Sequence, residues 1–346
     1  MYNDHYGLTG RPFQLTPDPR FYFESATHKK AMAYLGYGLA QGEGFIVVTG
    51  EIGSGKTMLV GHLMATVDSN RVNAVKIVST QVEGDDMLRM VATALGLPTE
   101  NAEKSQLLDR IERQIQDRAR AGQRTLLIVD EAQNLPISSL EELRMLSNYQ
   151  SGGQSMLQIL LLGQPEFRTR LEHSDQLEQL RQRVIATHHL TAMAANEVSP
   201  YILHRMKLVG WVGAPTIADE AFASLYRYSG GVPRKINNLM TRVLLMGSLE
   251  KTTVIDGDLV EAVIEDLEAD QIGGEAPDQA MLKLVERPAF NGDNATLDLA
   301  ARVAMLETQV SEQGDALRRV ISLLADWVEA EEGLHTQAEI RRAPAA

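Results

Sequence analysis

Residues 50–57 place two glycines, a lysine and a threonine at the spacing Gly-x-x-x-x-Gly-Lys-Thr, directly after the apolar run 45–49. Glycine permits backbone angles that a side chain forbids, so this segment predicts a tight loop between a strand and a helix. In such a loop, backbone N–H groups and the positive end of the helix dipole converge on an anion. Lys56 would reach the β- and γ-phosphates of a nucleotide, and the hydroxyl of Thr57 would bind Mg²⁺. The residues expected to contact the nucleotide are Gly50, Glu51, Ile52, Gly53, Ser54, Gly55, Lys56, Thr57 and Met58. The alternative is a glycine-rich turn that binds nothing.

Two adjacent carboxylates, Asp130 and Glu131, end a second apolar run at 125–129. An acidic residue there can hold Mg²⁺, and its neighbour can orient and deprotonate an attacking water. We therefore assign Asp130 to the metal and Glu131 to catalysis. Gln164 ends a further apolar run, where its amide could touch the γ-phosphate or the attacking water. Ordinary polar groups at strand ends are the alternative interpretation.

Three arginines could add positive charge around the phosphates. Arg181 and Arg183 precede a predicted strand, and either could act in the site of a neighbouring subunit, so that hydrolysis would depend on assembly. We favour Arg183 over Arg181, and a surface ion pair is the alternative for both. Arg234 lies at the first turn of a predicted lid helix and could fold over the nucleotide.

Other polar clusters predict no chemistry. His188 and His189 alternate across a strand and should point to opposite faces, which disfavours one shared metal. The basic segment 204–207 is interpreted as a solvated helix face. The chain has no cysteine, which excludes disulfides, thiolate metal sites and a cysteine nucleophile.

Strands that alternate with helices must position the phosphate loop and the carboxylates. Several of these strands are apolar throughout, which indicates a parallel sheet covered on both faces. The predicted strands are 45–50, 73–79, 125–131, 157–164 and 184–190. The fold class is therefore α/β, with a parallel five-stranded sheet between helices.

The rest of the chain divides by composition. Segment 6–23 is rich in proline and aromatic residues, which predicts an arm that packs its rings on the following domain and could wall the nucleotide base. From Asn196 onward the pattern predicts helices alone, at about 197–209, 219–228, 233–248 and 257–270. The expected domains are an extended arm at 1–24, an α/β ATPase domain at 25–192, a helical lid at 193–270, a linker at 271–295, an acidic coiled-coil helix at 296–332 and a disordered tail at 333–346.

The predicted coiled coil rests on one seven-residue frame. Its a positions are Val303, Val310, Leu317 and Leu324, and its d positions are Leu306, Gln313, Val320 and Trp327. An amphipathic helix folded back on the body is the alternative, since Gly314 weakens the helix.

The net charge of −13 is concentrated at the C-terminal end of the chain. Residues 256–346 contain 20 Asp and Glu against 7 Lys and Arg, while residues 1–255 contain 26 of each sign. An acidic tail favours contacts with protein over nucleic acid or anionic lipid. Neither a signal peptide nor a membrane-spanning segment is predicted.

Taken together, the phosphate loop, Asp130-Glu131, Gln164, the paired arginines and the Gly-Gly-Val-Pro-Arg segment at 230–234 resemble an AAA+ ATPase. The segments 12–23, 37–45 and 163–166 narrow the resemblance to the ExeA-like ATPases of the general secretion pathway, and especially to the secretion ATPase encoded with exosortase (PEP-CTERM) and exopolysaccharide loci. It covers about residues 6–270. The resemblance to ExeA itself implies a membrane span and a peptidoglycan-binding domain after the ATPase domain. Neither is visible after residue 270, so a protein partner is expected to provide the membrane connection.

The resemblance implies a P-loop AAA+ fold and a Mg²⁺-dependent ATPase that drives or regulates export of envelope material. No Asn-Lys-x-Asp guanine signature is present, so ATP is preferred to GTP. We expect a nucleotide-dependent homo-oligomer in the cytoplasm, held at the inner membrane, if at all, by an export-machinery protein bound to the coiled coil. The alternatives are a DNA-binding ATPase of the transposition type, which the acidic tail disfavours, and a nucleotide-gated scaffold with little turnover.

Overall fold

The computed structural model describes residues 2–78 and 83–273, which fall within one compact unit spanning 1–274. Most of the predicted linker, the predicted coiled coil and the predicted tail lie outside the described residues.

The centre of the fold is a sheet of five parallel strands, formed in spatial order by residues 72–78, 124–130, 157–163, 45–50 and 184–190. In chain order the strands are β1 (Phe45–Gly50), β2 (Val72–Val78), β3 (Arg124–Asp130), β4 (Gln150–Ser151), β5 (Gln154–Ser155), β6 (Leu157–Gly163), β7 (Val184–Leu190), β8 (Thr216–Ile217) and β9 (Val254–Ile255). Every residue of β1 and β6 is buried. The predicted α/β fold with a five-stranded parallel sheet is confirmed.

Twelve helices accompany these strands in the described part of the chain. They are α1 (Tyr2–Tyr6), α2 (Ala26–Gln41), α3 (Lys56–Thr66), α4 (Gly84–Ala94), α5 (Lys104–Arg120), α6 (Ile137–Leu146), α7 (Pro165–His173), α8 (Glu178–Arg181), α9 (Ala195–Leu208), α10 (Asp219–Ser229), α11 (Pro233–Leu249) and α12 (Gly257–Gly273). None of the helices within 2–78 and 83–273 has the length and apolar character needed to cross a membrane.

Alternate residues of each central strand are buried in two separate hydrophobic cores, one on each face of the sheet. Val47 packs in one core with the apolar faces of α4 and α5, whereas Val48 packs in the other with Leu35 of α2 and Leu59 of α3. Side chains alternate between the two faces of a strand, so a run of apolar residues is buried on both sides. Helix α2 begins where the hydroxyl of Ser25 accepts a hydrogen bond from the N–H of His28, and it ends at Gln41, just before Gly42 in a left-handed conformation.

The lid contains four helices, α9 to α12, as predicted, but it is not helical throughout. Strands β8 and β9 form a two-residue parallel pair, with N–H of Thr216 donating to the carbonyl of Thr253 and N–H of Ala218 to that of Ile255. The prediction of helices alone was therefore wrong at this pair. Two residues are too few to produce an alternating pattern in the sequence.

The N-terminal arm packs its rings on two domains. Tyr22 packs on the α/β domain that follows in sequence, as expected, and stacks on His62 of α3. The rings of Tyr2, Tyr6, Phe13 and Phe21 instead join the core of the lid helices, almost 200 residues away in the chain. The arm is also not fully extended, because it contains α1 and a 3-10 turn at Pro19–Phe21.

Candidate functional site

The loop between β1 and α3 has the backbone that its glycines predict. Gly53 and Gly55 have positive φ angles of 85° and 98°. A Cβ atom at Gly55 would lie 2.7 Å from Nε2 of His28, and one at Gly53 would collide with the side chain of Arg234. Glycine is therefore required at both positions by conformation and by close approach.

Lys56 is buried inside this loop, with 8% of its surface exposed. Its Nζ donates hydrogen bonds to the carbonyl oxygens of Gly50, at 2.6 Å, and Glu51, at 3.1 Å. Burial lowers the pKa of Lys56, and the negative charges of Glu131 and Asp130 act in the opposite direction. The loop therefore holds a desolvated cation that an anionic ligand would stabilise.

Asp130 is buried at the end of β3. It forms an ion pair with Lys76, at 2.8 Å from Nζ to Oδ2, and its Oδ1 accepts from the N–H of Glu131 at 3.1 Å. Glu131 has a φ of 59°, a left-handed conformation that is uncommon for residues other than glycine. Such backbones are enriched at functional sites, and here the turn brings Glu131 to the edge of a cavity.

The side chain of Gln133 connects the ends of β3 and β6. Its Nε2 donates to Oε2 of Glu131 at 2.6 Å, and its Oε1 accepts from the N–H of Gln164 at 3.0 Å. The carboxylate of Glu131 is therefore held in one orientation beside Gln164.

A cavity of about 330 Å³ brings most of the sequence-predicted residues together. From the phosphate loop and the strand ends it is lined by Ile52, Gly53, Gly55, Lys56, Thr57, Met58, Glu131 and Gln164. The arm contributes residues 14–17, and the lid contributes Tyr201, Arg205, Pro233, Arg234 and Asn237. The cavity therefore lies between the α/β domain, the arm and the lid. Its size is suited to a small ligand.

Arg234 connects the lid to the phosphate loop. Its backbone N–H donates to the carbonyl of Gly53 at 3.3 Å, and its side chain packs on the same glycine. A change in the backbone conformation at Gly53 would consequently displace Arg234 and the start of α11.

The other two arginines lie away from this cavity. Arg183 stands at the start of β7, where its carbonyl accepts from the N–H of Phe45, whereas the phosphate loop follows the opposite end of β1. Its Nη1 donates to Oγ of Ser147 at 3.2 Å, and Nη1 of Arg181 donates to the carbonyl of Glu172 at 2.8 Å. Neither arginine lines the cavity of its own chain.

Four of the lid residues in the wall were not identified from the sequence, namely Tyr201, Arg205, Pro233 and Asn237. Arg205, only 5% exposed, is not part of a solvated helix face, so that interpretation of 204–207 was wrong for this residue. Tyr201 lies one helical turn before it, and the hydroxyl of Tyr201 donates to Oδ1 of Asn237 at 2.8 Å. The aromatic residue four positions before the arginine was the available signal of burial.

Thr57 and Asp130 are suited to Mg²⁺ by the chemistry of their oxygen atoms, and Thr57 lines the cavity. Among the described residues, no group of three or more His, Cys, Asp or Glu side chains could hold a metal ion by itself. A site with few protein ligands matches the preference of Mg²⁺ for water and substrate phosphates as its remaining ligands.

Part of the chain is similar in sequence to known proteins. Residues 39–171 match a family model described as an AAA domain. General secretion pathway protein A of Aeromonas hydrophila is 34% identical to this chain over 267 residues, which cover 77% of this chain and 48% of that protein. The chain thus spans about half the length of this curated relative.

Solved structures with a similar fold include proteins from archaea and bacteria. The ADP form of the Aeropyrum pernix ORC2 protein has a TM-score of 0.56 and 16% identity, covering 74% of this chain and 72% of its own. Cdc6p from Pyrobaculum aerophilum has a TM-score of 0.57 and 14% identity, covering 70% of this chain and 67% of its own. A RuvB variant from Thermotoga maritima has a TM-score of 0.50 and 21% identity, covering 85% of this chain and 86% of its own. These likenesses show the fold.

Proposed function

We propose that this chain, which contains an AAA domain and has the P-loop AAA+ fold, is a Mg²⁺-dependent ATPase that drives or regulates export or assembly of envelope material, with exopolysaccharide or exosortase-linked export as its task. The proposal of ATP hydrolysis depends on one observation, which is that Lys56, Glu131, Gln164 and Arg234 all line one cavity. A role in export is supported by the 34% identity to general secretion pathway protein A over 77% of the chain. Exopolysaccharide or exosortase-linked export as the specific task rests on the resemblance of segments 12–23, 37–45 and 163–166.

The phosphate loop would hold the triphosphate. Lys56 now donates to two carbonyl oxygens of its own loop, and it would exchange these bonds for charge-assisted bonds to phosphate oxygens. Thr57 and Asp130 would hold Mg²⁺, which neutralises negative charge on the phosphates when bound.

Glu131 would orient and deprotonate the attacking water. The hydrogen bond from Gln133 uses one carboxylate oxygen, Oε2, and fixes the direction in which the other oxygen can accept a proton. Gln164, at the end of the neighbouring strand, would touch the γ-phosphate or the same water. Loss of the γ-phosphate would then alter contacts at the ends of two adjacent strands.

Movement of the lid would transmit hydrolysis to the rest of the molecule. Arg234 would contact the phosphates from α11, and its backbone bond to Gly53 couples the lid to the phosphate loop. We propose a homo-oligomer in which Arg183, or alternatively Arg181, reaches the site of a neighbouring chain, because neither lines the cavity of its own.

ATP is proposed over GTP because the sequence lacks a guanine signature. The proposed location is the cytoplasm, with attachment to the inner membrane through an export-machinery protein. The acidic segment 296–332, predicted as a coiled coil, would bind that protein.

The test is phosphate release from ATP and Mg²⁺ by the purified protein, with Lys56→Ala as the control. Light scattering measures the molecular mass of the Glu131→Gln protein with and without ATP, and therefore its oligomeric state. A nucleotide-dependent rise in mass is expected for a site shared between subunits, and a constant monomer mass would remove the role of Arg183 and Arg181. Absence of both ATP binding and phosphate release would overturn the proposal.

Binding of DNA is the alternative function. The structures of similar fold include the Aeropyrum pernix ORC1 protein in complex with DNA, at a TM-score of 0.55 and 14% identity. Residues 1–255 carry no net charge, so electrostatics does not favour DNA. A filter-binding titration at two salt concentrations decides, since a steep salt dependence of DNA affinity would favour this alternative.

A further inference from the structure

Arg205 is a buried cation in the wall of the cavity. It extends from α9 of the lid, and only 5% of its surface is exposed. Its guanidinium lies 4.7 Å from the centre of the Phe21 ring and 5.6 Å from the centre of the Tyr201 ring. Nε donates to the carbonyl of Pro12 at 2.6 Å, and Nη1 donates to the hydroxyl of Tyr201 at 3.2 Å.

No carboxylate within the described residues forms an ion pair with Arg205. Buried charges in proteins are normally paired, because desolvation of an unpaired ion is costly. A guanidinium has five N–H donors, of which the two bonds to Pro12 and Tyr201 use two. Arg205 thus brings positive charge and three further N–H donors to the wall of the cavity.

The hydrogen-bond and ring partners of Arg205 lie in two of the three parts of the molecule that line this cavity. All of its partners belong to the arm or the lid, namely Pro12, Phe21 and Tyr201, and none belongs to the phosphate loop. The phosphate loop and the strand ends contribute Lys56, Glu131 and Gln164 to the same cavity, and these side chains are suited to the phosphates. With them assigned to the phosphates, the wall formed by the arm and the lid, which includes Arg205, is left for the remainder of a nucleotide.

Arg205 is also part of a polar chain along the lid wall. The hydroxyl of Tyr201 accepts from Arg205 and donates to Oδ1 of Asn237, which lies three residues after Arg234 on α11. Both Tyr201 and Asn237 line the cavity. These hydrogen bonds hold the guanidinium of Arg205 between the arm and the lid helices α9 and α11.

We propose that Arg205 is a nucleotide-binding residue that recognises the nucleoside part of the ligand, through donors to acceptor atoms of the base and ribose. This inference rests on the proposed binding of ATP, and it assigns to the lid and arm the discrimination between a nucleotide and a bare polyphosphate. The planar guanidinium suits that role because it donates in fixed directions and can stack on an aromatic ring.

The experiment is calorimetric titration of the full chain with ATP and, separately, with inorganic tripolyphosphate, both with Mg²⁺. Arg205→Met should weaken ATP binding by about tenfold or more, as expected for loss of a charge-assisted contact, and should change tripolyphosphate binding by less than about threefold. Arg205→Lys keeps the charge but not the fork of donors, and should show the same selective loss to a smaller degree.

Thr241→Val is the control for loosening of the arm. Oγ1 of Thr241 is within hydrogen-bond distance of two carbonyl oxygens, that of Phe13 at 3.3 Å and that of Asn237 in its own helix at 2.8 Å. This variant therefore removes an arm contact and one bond within α11, and it leaves the side chains of Arg205, Tyr201 and Asn237 unchanged. ATP affinity should stay within about threefold of the unmodified protein. If Thr241→Val loses as much affinity as Arg205→Met, the effect belongs to arm packing and the inference is overturned.

Two further results would overturn the inference. One is unchanged ATP affinity in Arg205→Met and Arg205→Lys; the other is an equal loss of affinity for ATP and tripolyphosphate. If Arg205→Met does not fold, as judged by circular dichroism, the test rests on Arg205→Lys. A selective loss of ATP affinity relative to tripolyphosphate in that variant would then support the inference, and its absence would overturn it. Absence of ATP binding by the unmodified protein would instead overturn the proposed function.

Discussion

The side chain of Gln133 donates a hydrogen bond of 2.6 Å to the carboxylate of Glu131. The same amide accepts from the N–H of Gln164, so one side chain joins the ends of two neighbouring parallel strands. A proposed general base is thereby oriented by a side chain of the adjacent loop. This arrangement leads to the first prediction.

Replacement of Glu131 by Gln should lower ATP hydrolysis by about 10² to 10⁴-fold, the usual contribution of a general base. ATP affinity should be retained, since the phosphate loop is unchanged. Gln133→Leu should slow hydrolysis by a smaller factor, because Glu131 stays in place but loses its orienting bond. Steady-state phosphate release measures both, and full activity of Glu131→Gln would show that another group acts as the base.

Gly55→Ala should weaken ATP binding and destabilise the protein. A left-handed backbone costs a residue with a side chain about 1–2 kcal/mol, and the added Cβ would approach Nε2 of the buried His28. The matched control is Gly36→Ala, in an exposed part of α2 where a Cβ meets no atom within 4 Å. That change should stabilise the helix by about 0.5–1 kcal/mol. Thermal unfolding measures the stability of both variants, and ATP titration measures their affinity. If Gly55→Ala were as stable as Gly36→Ala and bound ATP as tightly, the strained conformation at Gly55 would be contradicted.

Arg234→Ala should reduce ATP hydrolysis, because α11 would lose its side-chain contact with the phosphates. Lys235→Ala removes a positive charge from the next position, which lines a different groove between the arm and the lid. This variant should keep its activity within about twofold, as expected for a charge outside the site. A similar loss in both variants would indicate a general effect of charge and would remove the specific role of Arg234.

His28 should make stability depend on pH. Burial lowers its pKa, while a backbone hydrogen bond with Gly55 and the charge of Glu197 act in the opposite direction. The neutral ring is therefore favoured in the folded protein, and the unfolded chain binds more protons between the folded pKa and about 6.5. The free energy of unfolding should decrease as pH falls through this window. Above about pH 6.5 the ring is neutral in both states, and His28 should no longer make the free energy of unfolding depend on pH.

His28→Asn should show a smaller decrease in melting temperature between pH 7 and lower pH. The pKa of His188 is also lowered, mainly by burial, so His188→Asn is needed as a parallel control. If both single variants keep the full pH dependence of the unmodified protein, another group is responsible for it.

Much of the α/β domain could be predicted from the sequence because its signals are local. The uniformly apolar runs that became β1 and β6, and the Ser25 and Gly42 ends of α2, depend on neighbouring residues alone. The phosphate loop and the Asp130-Glu131 pair each stand at the end of a strand. Since parallel strands end at the same edge of a sheet, their proximity followed from the fold.

The wall formed by the arm and the lid could not be predicted in the same way. Arg205 lies in a basic stretch of a helix, and its burial depends on Pro12 and Phe21, about 190 residues earlier. No local pattern reports a contact over such a distance. The bridge from Gln133 to Glu131 was likewise invisible, because it depends on the left-handed turn at Glu131.

The central claim is that the cavity between the phosphate loop and Glu131 binds ATP with Mg²⁺. Calorimetric titration of the Glu131→Gln protein with ATP and Mg²⁺, with and without the additional Lys56→Ala change, tests it most directly. The account predicts saturable binding by Glu131→Gln and a loss of about 100-fold or more when Lys56 is removed, as for deletion of a charged group that contacts phosphate. Absence of binding in the Lys56-containing protein, or equal affinity in both proteins, would contradict it.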